Sequence, residues 1–192
     1  MPPRGPASIH QVKITLTRIS PPVWRRIQVA STINLRRLHD VIQATMGWTQ
    51  SHLYEFDIGG VTFGEPSLES DIPVRSAKST QLRRVAPDPG TSFSYLYDFG
   101  DNWQHHILIE QVLPPEPGML YPRCLTGRRA CPPEDVGGVW GYQEFLEAIG
   151  DPEHEEHASM LEWIGGSFDP DAFDLRAVNQ ELATLGPSPW DR

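Results

Sequence analysis

The sequence predicts an α+β domain: a mixed β-sheet with a β-grasp-like ββαβ start, long ordered loops and C-terminal helices. Three observations carry this expectation. Apolar residues alternate with polar ones at period two in several short segments, the pattern of strands with one buried face. Between two such groups, residues 35–46 show apolar positions at three- and four-residue steps, the period of a helix. The 192 residues include 19 prolines and 16 glycines, a high share that assigns much of the chain to turns and irregular connections. The expected layout is a disordered leader over 1–8, one domain over 9–184 and a tail over 185–192. Within the domain, 9–113 form the sheet, 114–140 an irregular loop and 141–184 the helical part.

The elements follow in order. Val12, Ile14 and Leu16 alternate with Lys13, Thr15 and Thr17, giving a first strand. Ser20-Pro21-Pro22 turns the chain into a second strand carrying Trp24, Ile27 and Val29, whose alternation fails at Arg25-Arg26, the signature of a bulge. A helix capped by Ser31 or Thr32 then carries Leu35, Leu38, Val41, Ile42, Thr45 and Met46 and stops at Gly47. A strand with His52, Tyr54, Phe56 and Ile58 on one face reverses at Gly59-Gly60 into Val61-Thr62-Phe63. Residues 65–90 read as a long loop with one short element near 78–85. Two strong strands follow, 92–99 and 102–113, with Phe93, Tyr95 and Tyr97 on one face of the first and Trp103, His105, Ile107 and Ile109 on one face of the second. Gly100-Asp101 forms their turn. After the irregular loop, Tyr142, Phe145, Leu146 and Ile149 mark a helix, and His157, Met160, Leu161 and Ile164 mark another that ends at Gly165-Gly166. A last helix starts near Asp171.

Composition narrows function mainly by exclusion. A formal net charge of -9 excludes a simple DNA-coating protein, which needs lysine and arginine to displace counterions along phosphate. At this length a domain buries roughly 70% of its unfolded surface, so the core needs neither disulfide nor metal. Two cysteines are too few for a secreted disulfide scaffold, and no run of about 18 apolar residues exists to span a membrane. The expectation is a cytoplasmic protein with no membrane partner. No phosphate loop, dinucleotide fingerprint or nucleophile elbow is present.

Several strings resemble the plasmid pRiA4b ORF-3-like family: Trp24-Arg25-Arg26; Met46-Gly47-Trp48 to Ser51-His52-Leu53; Tyr97-Asp98-Phe99-Gly100-Asp101-Asn102-Trp103-Gln104-His105; Cys131-Pro132-Pro133-Glu134-Asp135; and Gly137-Gly138 with Trp140-Gly141-Tyr142. Asp151-Pro152-Glu153-His154 and Phe168 to Phe173 continue the match toward the C-terminus. The resemblance implies an α+β fold and a plasmid or mobile-element setting, in a family whose members are described as uncharacterised. Some carry a resolvase-like label as insertion-element passengers, which implies a DNA-recombination accessory role. The acidic charge and the absence of a helix-turn-helix argue against a nucleic-acid partner.

His52 and His105 form the sharpest constellation, since both fall on apolar strand faces and a buried imidazole must find partners. Together with Asp98 or Asp101 they could bind a divalent metal or perform acid–base chemistry, because imidazole and carboxylate suit zinc, iron or manganese. The competing reading is a pair of hydrogen-bonded core histidines. Cys124 and Cys131 could bind a metal with His52, His105, Glu134 or Asp135 completing four ligands, close a disulfide or simply pack their loop. Trp24, Arg25 and Arg26, with Arg36-Arg37 and Arg83-Arg84, could hold phosphate or an acidic partner, or pair internally with stacking on the tryptophan. Glu134 and Asp135 could line a binding loop or cap the following helix. In Glu153-His154-Glu155-Glu156-His157 the histidines stand three apart, which breaks the geometry of a metalloprotease helix. The first functional expectation is a non-enzymatic binding or adaptor module that recognises a protein partner through the loop near 131–138 and aromatic residues including Trp103. The rival is a metal-binding domain or metal-dependent hydrolase.

Overall fold

The computed structural model describes residues 8–66 and 73–186. Except for Ser8, the expected leader lies outside the described residues, as does the expected tail beyond Gly186, including Trp190. The elements run β1 (Ile9–Leu16), β2 (Trp24–Ala30), α1 (Leu35–Met46), β3 (Tyr54–Ile58), β4 (Val61–Gly64), β5 (Arg75–Ser76), α2 (Leu82–Val85), β6 (Ser92–Tyr97), β7 (Trp103–Leu113), β8 (Arg123–Arg128), α3 (Gly138–Gly150), α4 (His157–Ile164) and α5 (Leu175–Thr184). One eight-stranded sheet has the order β5-β4-β3-β6-β7-β1-β2-β8. It is mixed because β5 runs parallel to β4, while every other pair is antiparallel. The fold is α+β, with the ββαβ start that the alternation and the helical period imply.

The alternation of β1, β6 and β7 translates directly into burial. Val12, Ile14, Leu16, Phe93, Tyr95, Tyr97, Trp103, Ile107 and Ile109 point into one core, where α1 adds Leu35, Leu38, Val41 and Ile42. Hydrogen bonding refines several boundaries. Asn34, rather than Ser31 or Thr32, caps α1: its side chain accepts the Arg37 amide proton, while Gly47 in the left-handed conformation closes the other end. Asp174 caps α5 in the same way, so that helix begins at Leu175 and not near 171. β3 starts at Tyr54, which leaves His52 before the strand rather than on its inward face. The turn between β6 and β7 is longer than Gly100-Asp101 and spans five residues, closed by the Asn102 amide donating to the Asp98 carbonyl at 2.7 Å.

Two further departures have physical causes. The loop expected over 114–140 contains β8, an edge strand whose partner β2 lies far away in sequence. Its residues Arg-Cys-Leu-Thr-Gly-Arg bury only Cys124, so no clean period-two signal exists. α3 begins at Gly138, three residues before the expected boundary, because Gly138 lies against the β6–β7 turn: a Cβ there would stand 2.5 Å from the Asp101 carbonyl oxygen. Among the described residues no helix is long and apolar enough to cross a membrane.

Alternation in β2 does not fail at Arg25-Arg26. Arg25 simply occupies the inward position, almost completely buried, and the register shift against β8 lies one step later, between Arg26 and Ile27. Its Nε donates to the Thr45 carbonyl at 2.8 Å and its Nη1 to the Trp24 and Arg128 carbonyls at 2.9 Å. The guanidinium also lies over the Phe173 ring at 4.7 Å. One side chain therefore ties β2, β8, the last turn of α1 and the segment before α5. Replacing it by an apolar residue leaves buried carbonyls without donors, at about 1–3 kcal/mol each when no water replaces them. Arg25→Leu is expected to lower unfolding free energy by at least about 3 kcal/mol in urea titrations. A loss below about 1 kcal/mol would show that the tie is not structural.

Candidate functional site

Three loops converge at one end of the sheet: the α1–β3 connection, the β6–β7 turn and the segment before α3. His52 comes from the first. Its Nε2 lies 3.6 Å from Asp98 Oδ2, 3.9 Å from Glu134 Oε2 and 3.1 Å from Asp135 Oδ1. Despite these distances, Nε2 is shielded from solvent and makes no aligned hydrogen bond. Among the described residues, His52, Asp98 and Asp135 form the group whose ligating atoms lie within 4.8 Å of one another. The imidazole is half-buried, Asp98 is buried and Asp135 is exposed, so the cluster opens to solvent on the Asp135 side.

Local backbone chemistry places each carboxylate. Asp98 and Asp135 both have φ of 57°, in the left-handed region that aspartate and asparagine tolerate better than most residues, and Asn102 closes the turn at the same value. The Asp98 amide donates to the Leu53 carbonyl at 2.9 Å, which joins the His52 loop to the β6–β7 turn. Its Oδ1 accepts the Gly100 amide proton at 2.9 Å, leaving Oδ2 toward the histidine. Glu134 is fixed through Oε1, which accepts from the Thr49 amide at 2.8 Å and from the Tyr97 hydroxyl at 3.0 Å. Burial, reinforced by the adjacent Glu134 carboxylate, pushes the Tyr97 hydroxyl up to about 12, so the phenol keeps the proton that it donates. Trp48 holds the third loop: its indole N–H donates to the Pro132 carbonyl at 2.9 Å.

The remaining expected site residues lie elsewhere or serve the fold. Asp101 is not in the cluster; its Oδ2 accepts from the Gly137 amide at 3.2 Å, so this aspartate, and not Glu134 or Asp135, serves the N-terminus of α3. His105 is fully buried on β7. Its Nδ1 donates to the Tyr95 carbonyl at 3.3 Å, and ring contacts run from His52 to Tyr97, from Tyr97 to Trp48 and from Trp48 to His105, so aromatic side chains stand between the two histidines. Trp103 is buried to 0% exposure and presents no binding surface. Cys124 lies on β8 and Cys131 in the loop before α3; both are free, and neither belongs to the cluster. Burial pushes the Cys124 thiol up to about 11 and raises the Cys131 thiol as well, so neither is disposed to act as a thiolate ligand.

Most of the arginine set is also engaged internally, although Arg83 and Arg84 are exposed. Arg26 forms a bidentate pair with Glu110 at 2.6 and 2.8 Å while its guanidinium lies over Trp24 at 5.4 Å. Arg36 faces Asp40 and Glu65, and Arg37 donates to the Leu185 and Gly186 carbonyls. These groups are not arrayed toward a phosphate. Sequence reasoning missed His39, whose Nδ1 lies 2.7 Å from the Tyr95 hydroxyl and whose ring stacks on Tyr54 at 3.8 Å. Its place on the inward face of α1 was the available signal. The sequence offers Glu134 and Asp135 as ligands only beside the cysteines, because only the folded loop brings them to His52.

Large apolar side chains surround the cluster. Leu53 follows His52, Phe99 follows Asp98 and Trp140 lies in the first turn of α3; they are 65%, 52% and 70% exposed. Such a grouping on site-forming loops is the composition of a contact surface.

The chain has clear relatives. The sequence profile of the plasmid pRiA4b ORF-3-like proteins matches residues 8–177. The uncharacterized protein y4hQ of Sinorhizobium fredii is 47% identical over 188 residues, which cover 97% of this chain and 96% of that one. A crystal structure of a protein of unknown function, MM3350 from Methanosarcina mazei Go1, superposes with a TM-score of 0.81 at 38% identity, covering 88% of this chain and 96% of the other.

Burial pulls the His105 imidazole from an ordinary 6.5 down to about 4, so the folded state holds it neutral. Because the unfolded chain binds this proton first, stability falls as pH drops from about 6.5 toward 4. His105→Asn keeps a donor for the Tyr95 carbonyl but cannot titrate. Between about pH 7 and about pH 5 the variant is expected to lose about 2 kcal/mol less unfolding free energy than the parent. Parallel losses in urea titrations at the two pH values would contradict the buried neutral histidine.

Proposed function

The chain belongs to the plasmid pRiA4b ORF-3-like family, and from that premise we propose that it is a binding module whose site holds a divalent cation between His52, Asp98 and Asp135, with Glu134 beside them. Its relatives supply no activity, so the reading rests on the geometry. The observation that carries it is the Nε2 atom of His52, shielded from water, hydrogen-bonded to nothing and surrounded by three carboxylates. An Nε2 lone pair facing carboxylate oxygens would be repulsive. The arrangement is favourable when either a proton on Nε2 or a metal ion occupies the space between them.

The spacing favours the ion. Bonds of about 2.1 Å place neighbouring ligand atoms about 3.4 Å apart in a tetrahedron and about 3.0 Å apart in an octahedron. His52 Nε2 stands 3.1 Å from Asp135 and 3.6 Å from Asp98, close to those edges. A proton would instead call for one short, aligned hydrogen bond of about 2.8 Å. One imidazole with carboxylates suits zinc, manganese or iron(II) rather than a soft thiophilic ion. The exposed Leu53, Phe99 and Trp140 give the site the setting of a recognition surface, which supports binding over catalysis.

Calorimetric titration of tag-free, chelator-stripped protein with Mn2+ and with Zn2+ tests this. Saturable binding is expected, weakened by more than about tenfold in both Asp98→Asn, which keeps the left-handed backbone accessible, and His52→Gln. Absence of saturable binding by either ion, or binding unchanged in both variants, would end the cation reading.

A further inference from the structure

We infer that the groove between α3 and α4 is a docking site for an arginine-bearing segment of a partner protein. The first observation is a segregation of charge. Twelve of the chain's 25 acidic residues, and none of its 16 lysines and arginines, fall within residues 130–175. That stretch comprises the loop before α3, both helices and the approach to α5; it carries a formal charge of -12 while the rest of the chain is net positive, so it forms an acidic pole.

The second observation is that this acidic pole is cleft and apolar inside. α4 carries Met160, Leu161, Trp163 and Ile164 yet buries no residue fully, and it packs on α3. Between the two helices lies a groove of about 450 Å3, lined by Asp135, Glu144, Phe145, Glu156, Met160 and Trp163 among others. Every charged residue in the lining is acidic. Phe145 and Trp163 meet edge to face at 5.7 Å, and Trp163 remains 48% exposed. The carboxylates of Glu144 and Glu156 have no ion pair or hydrogen bond to any described residue. They are free to take a new partner.

A guanidinium group satisfies these features together. It is planar enough to stack on an indole, it pairs with carboxylates in bidentate fashion, and its weak hydration lets it enter a partly apolar cleft. An ammonium group would gain the charge attraction but not the stacking or the fork. The groove volume admits one or two long side chains rather than a whole helix, so the occupant is an arginine with an apolar neighbour resting on Met160. This surface supplies the protein-binding half of the proposed function and shares Asp135 with the cation site, yet Glu144, Glu156 and Trp163 lie outside that site, so variants at these three test the groove alone.

Fluorescence anisotropy with a fluorescein-labelled peptide of alternating leucine and arginine tests the inference, with lysine and citrulline analogues as comparison probes and chelator present throughout. Saturable binding of the arginine peptide is expected, weakened at least about tenfold by citrulline, by the pair Glu144→Gln and Glu156→Gln, and by Trp163→Ala. Unchanged thermal melts for these surface variants would show that the fold is intact; a shifted melt would pass the decision to the citrulline comparison in the parent protein. Asp98→Asn, which weakens the cation site alone, is expected to bind the peptide like the parent. Equal binding of citrulline and arginine peptides, parent-like binding by the glutamine pair, or no saturable binding would overturn the inference. Equal binding of the lysine peptide would reduce it to attraction of any polycation and overturn the arginine assignment.

Discussion

The fold depends on a buried cation that has no anion. Arg25 sits on the inward face of β2, where an aliphatic residue would ordinarily stand, and no described carboxylate lies within ion-pair distance of it. Its charge is balanced instead by carbonyl dipoles, among them Thr45 in the last turn of α1, where the helix carries its partial negative charge. The consequences reach outward from this contact. Arg128 must present its carbonyl, which fixes the end of β8, and Gly127 must lack a side chain, since a Cβ there would meet Arg25 and Phe173 at under 3 Å. Phe173 in turn covers the guanidinium and draws the start of α5 onto the sheet. A motif that looks from sequence like an invitation to phosphate thus assembles the sheet edge, the main helix and the C-terminal region.

This explains why the sequence leaves arginine-rich stretches open between phosphate binding and internal pairing while apolar periodicity leaves no such choice. Alternation in β1, β6 and β7 and the three-and-four spacing of α1 are decided by burial, which dominates the free energy, so pattern and structure agree. β8 was not legible because an edge strand buries one residue and is defined by its hydrogen bonds to β2, a relation that no local window contains. The helix caps shifted by a few residues for a similar reason. Asn34, Ser31 and Thr32 are all competent caps, and the selection of Asn34 depends on where the tertiary packing of Leu35 places the first turn.

The site was legible by composition and not by grouping. His52, Asp98 and Asp135 each stand out, yet alternation places His52 on a strand face and leaves open whether it meets His105, and the two histidines serve different ends. His105 is a neutral core residue among Trp48 and Tyr95. His52 lies before its strand, where three loops meet. What joins those loops is backbone geometry: left-handed Asp98, Asn102 and Asp135, and the contact of Gly138 with the Asp101 carbonyl. The Asp-Phe-Gly-Asp-Asn run announces a tight turn, but nothing in it shows that a segment some forty residues later will rest on it.

Charge distribution supplies the last step. Most of the arginines near the core are consumed internally: Arg25 and Arg37 by carbonyls, Arg26 by Glu110 and Arg129 by Asp171. The surface field is therefore set by the acids of residues 130–175, of which Asp171 alone is paired to an arginine among the described residues, and the His52 cluster lies at the edge of that region through Glu134 and Asp135. One field then attracts both kinds of cation, but salt separates them. A cation held as proposed by imidazole and carboxylates would meet them at contact distance, where screening is weak. A guanidinium arriving at the open α3–α4 groove approaches through solvent, where charges more than a Debye length of about 8 Å apart are largely screened at physiological salt. The fold thus places a site of short-range selectivity beside a surface of long-range attraction, and the internal use of its arginines is what leaves that attraction unopposed.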